Sequence, residues 1–212
     1  NFYSDYDVGN NITYEYAVSA VFPSGDESDL SDSIELTPQS SSVYELAWDD
    51  GSSEIGVNTG SGNYMAERFT TAFGEDDLVR FKWYQVGDGG AFYIYIWEDD
   101  NGLPGAEVYD HVVVGGVDGW NSYDLLDEGI VFNGDFWIGV KEFSSTRPFG
   151  LDTDSDSGNS FFRIGASGQW ESIANLGMPG NLMLRPSLDA GEEVGCTIGD
   201  VNMDSNIDVL DI

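Results

Sequence analysis

Along most of this chain, apolar and polar residues alternate with a period of two. Tyr14, Tyr16, Val18 and Ala20 alternate with polar or small partners, the pattern of a half-buried strand. Pro23-Ser24-Gly25-Asp26 reads as a turn, and Ser33 to Thr37 as a second strand that Pro38 ends. Further strands are expected near Val43–Trp48, Tyr64–Thr70, Leu78–Val86, Ala91–Glu98, Glu107–Val113, Trp120–Leu125, Phe136–Lys141, Ser160–Ile164 and Asn181–Leu188. Turn clusters separate several of them: Gly87-Asp88-Gly89-Gly90, Asp99-Asp100-Asn101-Gly102 and Asn133-Gly134-Asp135. Before residue 190 no stretch carries the 3.6-residue period of an amphipathic helix. Many strands at short spacing predict an all-β chain whose main part is a two-sheet jelly roll or β-sandwich.

The alternation also assigns faces. In AFYIYIWE, Phe92, Ile94 and Ile96 point one way and Tyr93, Tyr95 and Trp97 the other. In VRFKWYQV, Val79, Phe81 and Trp83 oppose Arg80, Lys82 and Tyr84. Phe81, Trp83, Ile94, Ile96, Phe136 and Ile138 are thereby expected in the core. Tyr93, Tyr95 and Trp97 are left to line a second face. Such a row of rigid, amphipathic rings is either a sugar-stacking platform or a surface covered by a neighbouring loop or module.

The 212 residues are 41% hydrophobic, enough for a packed core. Charge narrows the partners. Against 39 acidic residues stand 7 Lys plus Arg, a net charge of -32. A phosphate backbone or an anionic membrane would be repelled. No apolar run reaches the length of a membrane span. An acidic surface suits salty surroundings, divalent cations or high solubility. The one cysteine, Cys196, either stays free or pairs beyond these residues.

The segment ITYEYAVSAVFPSGDESDLSDSIELTP resembles the last strands of a fibronectin type III domain, in its Y-x-Y-x-V-x-A strand, its loop ending in G-x-E-S and its final strand closing in T-P. Residues 1–38 would then be the end of such a domain, whose front strands are absent or come from another molecule. Residues 39–42 read as a linker. Residues 43–189 resemble a recurrent jelly-roll accessory domain of large secreted bacterial proteins, through ELAWDDGSSE, YIWEDDNGLPGAEV, DFWIGVKEFSSTRPFGLDTD and NLMLRPSL. That resemblance implies an extracellular or cell-surface location more than an activity.

Residues 190–212 hold a linker and then CTIGDVNMDSNIDVLDI. Asp200, Asn202 and Asp204 alternate. Asn206 follows with its carbonyl, then Asp208, and Asp211 stands twelfth. This is the ligand spacing of a 12-residue Ca2+ loop, in which a hard cation collects six to eight oxygens. The run resembles a dockerin type I repeat. Ser205 replaces its turn glycine, and one residue follows the last ligand, so a complete cohesin-binding unit is not present here. Weaker calcium candidates are Asp152, Asp154 and Asp156, then Asp49, Asp50 and Glu54, and Asp99, Asp100 and Asn101. For each, the competing reading is an acidic turn.

Catalytic parts are sparse. His111 is the only histidine, no serine sits in a nucleophile-elbow pattern, and zinc ligands are too few. Two non-catalytic function classes follow, beside a third, an enzyme, that would need two facing carboxylates in a cleft. The first is a non-catalytic, calcium-stabilised structural or adhesive module of an extracellular bacterial protein. It would contact other modules or neighbouring subunits, and could polymerise by strand complementation at an open edge. The second is a carbohydrate-binding accessory module using Tyr93, Tyr95 and Trp97. Neither inserts into a membrane or binds nucleic acid. Calcium is expected to bind at Asp200–Asp211 and to raise the melting temperature, with about 2.7 kcal/mol of stabilisation at a hundredfold excess over Kd. Titration calorimetry of Asp200→Ala tests this: an affinity unchanged at this loop removes the assignment.

Overall fold

The computed structural model describes residues 13–36 and 42–191. The chain divides into two compact units, Asn1–Ser41 and Ser42–Ile212. In the first, β1 (Tyr14–Tyr16) pairs antiparallel with β2 (Ile34–Leu36), Tyr14 opposite Leu36 and Tyr16 opposite Ile34. Regular strand ends sooner than the alternation suggested. Beyond Tyr16 the backbone is tied instead by serine hydroxyls: the amide of Val18 donates to Ser31 Oγ at 3.1 Å and that of Ala20 to Ser28 Oγ at 2.9 Å. These side-chain acceptors stand in for ladder carbonyls and release the chain from a regular pleat.

The second unit has twelve strands: β3 (Val43–Glu45), β4 (Ile55–Val57), β5 (Tyr64–Gln85), β6 (Ala91–Asp99), β7 (Pro104–Val114), β8 (Gly119–Asp124), β9 (Val131–Glu142), β10 (Phe149–Asp152), β11 (Ser160–Arg163), β12 (Trp170–Ser172), β13 (Asn181–Leu182) and β14 (Leu184–Asp189). Among the described residues the only helical turns are short 3-10 segments, Leu126–Glu128 and Ile173–Leu176. The protein is all-β, as its alternation predicts.

The organising element is β5. Two strands were expected here, and one of 22 residues is found. Its first half pairs with β9 and β11; its second half pairs with β14 and β8, after a short continuation of the β9 pairing through Asp77. Between them, at Thr70–Glu75, the register with β9 shifts. This bulge is held by its own polar groups. Thr71 Oγ1 donates to the Gly74 carbonyl at 2.9 Å, and the Ala72 amide donates to the Tyr44 hydroxyl at 3.0 Å. Gly74, at φ 114°, supplies a conformation that a side chain would strain.

The bulge lets one strand serve two layers. All twelve strands are hydrogen-bonded into one sheet that folds into two layers, called the first and second sheet below; the first runs β12-β11-β5-β9-β6-β7. The second gathers β3, β14, the end of β5 and β8. Between them lies the core: Met65, Phe69, Ile94, Ile96, Phe136, Ile138 and Val140 from the first sheet, and Phe81, Trp83, Leu184 and Leu188 from the second. All six residues expected in the core are there. Trp83 meets Phe92 across the gap edge-to-face, with centroids 5.2 Å apart. Burying each such side chain contributes roughly 1.5–3 kcal/mol.

Strands β4, β10 and β12 escape a reading by alternation. Gly56 and Gly150 lie opposite each other in the β4–β10 pair. They are glycines because space is short: a Cβ at Gly150 would come within 2.7 Å of Met183 Sδ, and one at Gly56 within 2.9 Å of Pro148 Cβ. In a sequence these glycines look like turn residues.

Among the buried ionisable groups, Glu67 stands out. Glu67 is fully buried on β5 and accepts a hydrogen bond from Ser160 Oγ at 2.8 Å, while its Oε2 has no partner. Burial, then the nearby Asp49, pushes its carboxyl well above the ordinary 4.5; Ser160 pulls the other way. As pH rises, the unfolded chain therefore releases this proton before the folded one. The stability contributed by protonated Glu67 is complete below 4.5 and is lost as pH climbs toward the folded value. Relative to Glu67→Gln, the wild type is expected to lose about 1.4 kcal/mol per pH unit across that window. Chemical denaturation from pH 4 to 7 measures it, and a constant difference between the two proteins would refute the assignment.

Candidate functional site

The outer face of the first sheet follows from the same alternation that fills the core. Residues of β5, β6, β9, β11 and β12 that point away from the sandwich are Tyr64, Ala66, Tyr93, Tyr95, Trp97, Trp137, Phe161 and Trp170. Tyr64, Ala66, Trp97 and Trp137 form a second buried cluster, with Tyr95, Phe161 and Trp170 packed against it. Small residues make the floor. A Cβ at Gly139 would lie 2.2 Å from the Met65 carbonyl oxygen and 2.9 Å from Trp97 Cζ3, so the Trp97 ring lies over the glycine. The Trp137 indole N–H donates to Asp99 Oδ1 at 2.8 Å, which ties this floor to the β6–β7 hairpin.

The row predicted from the sequence is present but layered. Tyr95 and Trp97 stack with planes 7° apart and centroids at 5.2 Å. Tyr93 follows at 5.8 Å, tilted by 47°. Tyr93 and Tyr95 are half-buried, whereas Trp97 is only 3% exposed. Trp170 crosses its ring edge-to-face at 5.6 Å. Trp97 is therefore the support of the platform, and Trp170 takes the accessible place expected for it.

Cations complete the face, and alternation alone would not have identified their role. Strand register aligns Trp170, Arg163, Tyr64, Lys141 and Tyr93 across five neighbouring strands. Arg163 Cζ lies 4.2 Å from the Tyr64 ring centroid and 4.6 Å from that of Trp170. Lys141 Nζ lies 5.4 Å from Tyr64 and 5.6 Å from Tyr93. Each such contact is worth about 0.5–2 kcal/mol. At about 4.8 Å per strand the row is roughly 19 Å long. The signal for it was in the sequence: Lys141 follows Trp137 and Gly139 at intervals of two, and Arg163 follows Phe161. At the far edge, β7 brings Asp110 opposite Tyr95 and Glu107 opposite Trp97. Burial, with Tyr64 and these carboxylates adding to it, pushes the Tyr95 hydroxyl up to about 12, so it stays protonated. Burial first, and Asp110 next, raise the Glu107 carboxyl.

The second sheet carries a similar but neutralised arrangement. Lys82 and Arg185 lie over Trp120 at 5.2 and 4.3 Å. Both are paired with Glu45, and Arg185 also with Asp49.

The acidic candidates resolve differently. The loop Asp200–Asp211, with Asn202, Asp204, Asn206 and Asp208, lies outside the described residues. Among the described residues no group of three His, Cys, Asp or Glu is placed to hold a metal. Asp152 is buried and accepts from the Asp50 and Asp154 amides at 3.1 and 2.9 Å; Asp154 and Asp156 are exposed. Asp49 serves Arg185 and the Gly51 amide, and Asp99 serves Trp137 and the Gly102 amide. Asn101, at φ 54°, and Gly102 form the tight turn of the β6–β7 hairpin. His111 is stacked on Tyr123 at 4.6 Å.

No known protein family matches this chain, and no curated protein does. Solved structures do. The chain is similar to the cysteine protease and lectin-like domains of Cwp84, a surface layer associated protein of Clostridium difficile, with a TM-score of 0.50 and 14% identity, covering 62% of this chain and 33% of that one. It is also similar to the clostridial cysteine protease Cwp84 after propeptide cleavage, with a TM-score of 0.56 and 15% identity, covering 74% of this chain and 42% of that one. The chain spans less than half the length of either neighbour. At these identities the likeness is one of fold.

Proposed function

We propose that this protein is a non-catalytic, extracellular accessory β-module that binds glycan on the outer face of its first sheet. The observation that carries the reading is the Tyr93–Tyr95 surface seated on buried Trp97 and flanked by Trp170. Tyrosine and tryptophan rings offer apolar faces to the C–H face of a pyranose and polar edges to its hydroxyls. Because the rings are fixed by a sheet and by one another, little side-chain freedom is lost on binding. A likeness to structures that include a lectin-like domain of a surface layer associated protein supports both the ligand class and the location. The stacking of His111 between Tyr109 and Tyr123 supports a non-catalytic role, since it fills the ring's faces with aromatic contacts.

On a glycan array the protein is expected to retain a defined set of sugars. Tyr93→Ala is expected to weaken the best of them about tenfold, the loss of one stacking contact. An array without hits, or undiminished binding by Tyr93→Ala, contradicts the reading.

A structural or adhesive role is favoured by a different observation, in the first unit. There, among the described residues, Val18, Val21, Leu30 and Ile34 are 71, 73, 70 and 58% exposed beside a two-stranded ladder. Two strands alone hold together poorly in water, so a neighbouring module or a second copy is the natural cover. Strand-complemented assembly is expected to show as concentration-dependent mass in light scattering. A discrete monomer with this unit still folded excludes it. In this reading calcium at Asp200–Asp211 stiffens the tail by pairing its carboxylates.

A further inference from the structure

We infer that the glycan this face takes is anionic, and that Arg163 and Lys141 hold its carboxylate or sulfate group. The inference rests on the glycan reading above and narrows it to a ligand class.

The chain has 7 cationic side chains and 39 acidic ones. Arg68, Lys82 and Arg185 have carboxylates within 4.0 Å. Arg147 Nε donates to the Asp88 carbonyl at 2.9 Å, and Arg80 is exposed to water. Lys141 and Arg163 remain. Both are half-buried, neither has a carboxylate within ion-pairing distance, and Arg163 Nε is buried with no acceptor. Glu107 acts on Lys141 only through space, without an ion pair; in a chain so rich in acids, two such unpaired cations side by side mark a surface suited to a further negative charge.

Geometry specifies how the charge would be met. The Arg163 guanidinium lies in the corner made by the Tyr64 and Trp170 rings, which meet edge-to-face at 6.3 Å. A guanidinium offers paired N–H donors that match the two oxygens of a carboxylate or sulfate. Lys141, across Tyr64 in the same row, adds a second point charge. Rings stand on both sides of each cation, so a sugar ring can stack while its acidic substituent reaches the neighbouring side chain. Asp110 and Glu107 at the β7 edge repel an anion there but accept sugar hydroxyls. The ligand is thereby oriented with its acidic group toward β9 and β11.

Affinity electrophoresis and calorimetry with polygalacturonate, hyaluronan and dextran sulfate, each beside a carboxyl-reduced or unsulfated counterpart, test the inference. At least one anionic polymer is expected to bind tenfold or more tightly than its neutral counterpart, with affinity falling as salt rises. The uronate and sulfate arms identify which group is read. Arg163→Gln and Lys141→Gln are expected to weaken binding of the anionic polymer by tenfold or more beyond any loss for its neutral counterpart, and so to remove that preference. Arg163→Lys, which keeps the charge without the fork, should restore part of it, and Arg80→Gln should change nothing. Equal affinity for charged and neutral polymers, or a preference that survives Arg163→Gln in a protein with unaltered melting temperature, overturns the inference while leaving the glycan reading intact. Absence of binding to every polymer overturns both.

Discussion

The backbone of β5 is the constraint on which the second unit depends. Every other strand there is bonded to it directly or through at most two neighbours. Its two halves lie in two sheets, so the sandwich is closed by one continuous strand. The bulge between Thr70 and Glu75 makes this possible, because an unbroken pleat would have kept both halves in one layer. The polar residues at this point take up the amides and carbonyls that the register shift frees. The core between the sheets then fixes the register, since a slip of one residue would turn Phe81, Trp83 and Ile138 outward.

That arrangement leaves the first sheet with two apolar faces and one partner. The inner face packs against the second sheet. The outer face covers itself with Trp97 and Trp137 laid over Ala66 and Gly139, rings standing edge-to-face above them, and cations inserted between the rings. Its rim stays open to solvent and rigid at once, which is the combination a stacking surface requires.

The acidic composition has a local explanation as well as a global one. Asp49, Asp50, Asp124, Asp152, Asp156 and Asp189 each accept a hydrogen bond from the backbone amide two residues ahead, at 2.8–3.0 Å. These are side-chain-built turns, and a protein of many short strands needs many of them. Clusters that look like cation ligands when written as a string are in these places satisfying the backbone.

The sequence by itself determined the all-β class, the side on which Phe92, Ile94 and Ile96 or Tyr93, Tyr95 and Trp97 fall, and the six core residues, because period-two alternation is a local property of the pleat. It also exposed the spacing of Asp200–Asp211, since loop ligands are close in sequence. What it could not express was which strands lie side by side. Only the tertiary structure brought Arg163 and Lys141 to either side of Tyr64, placed Trp170 over Trp97, and joined Tyr64–Gln85 into one strand. Those contacts join residues tens of positions apart, and their register is set by packing across the whole sheet rather than by any neighbour along the chain.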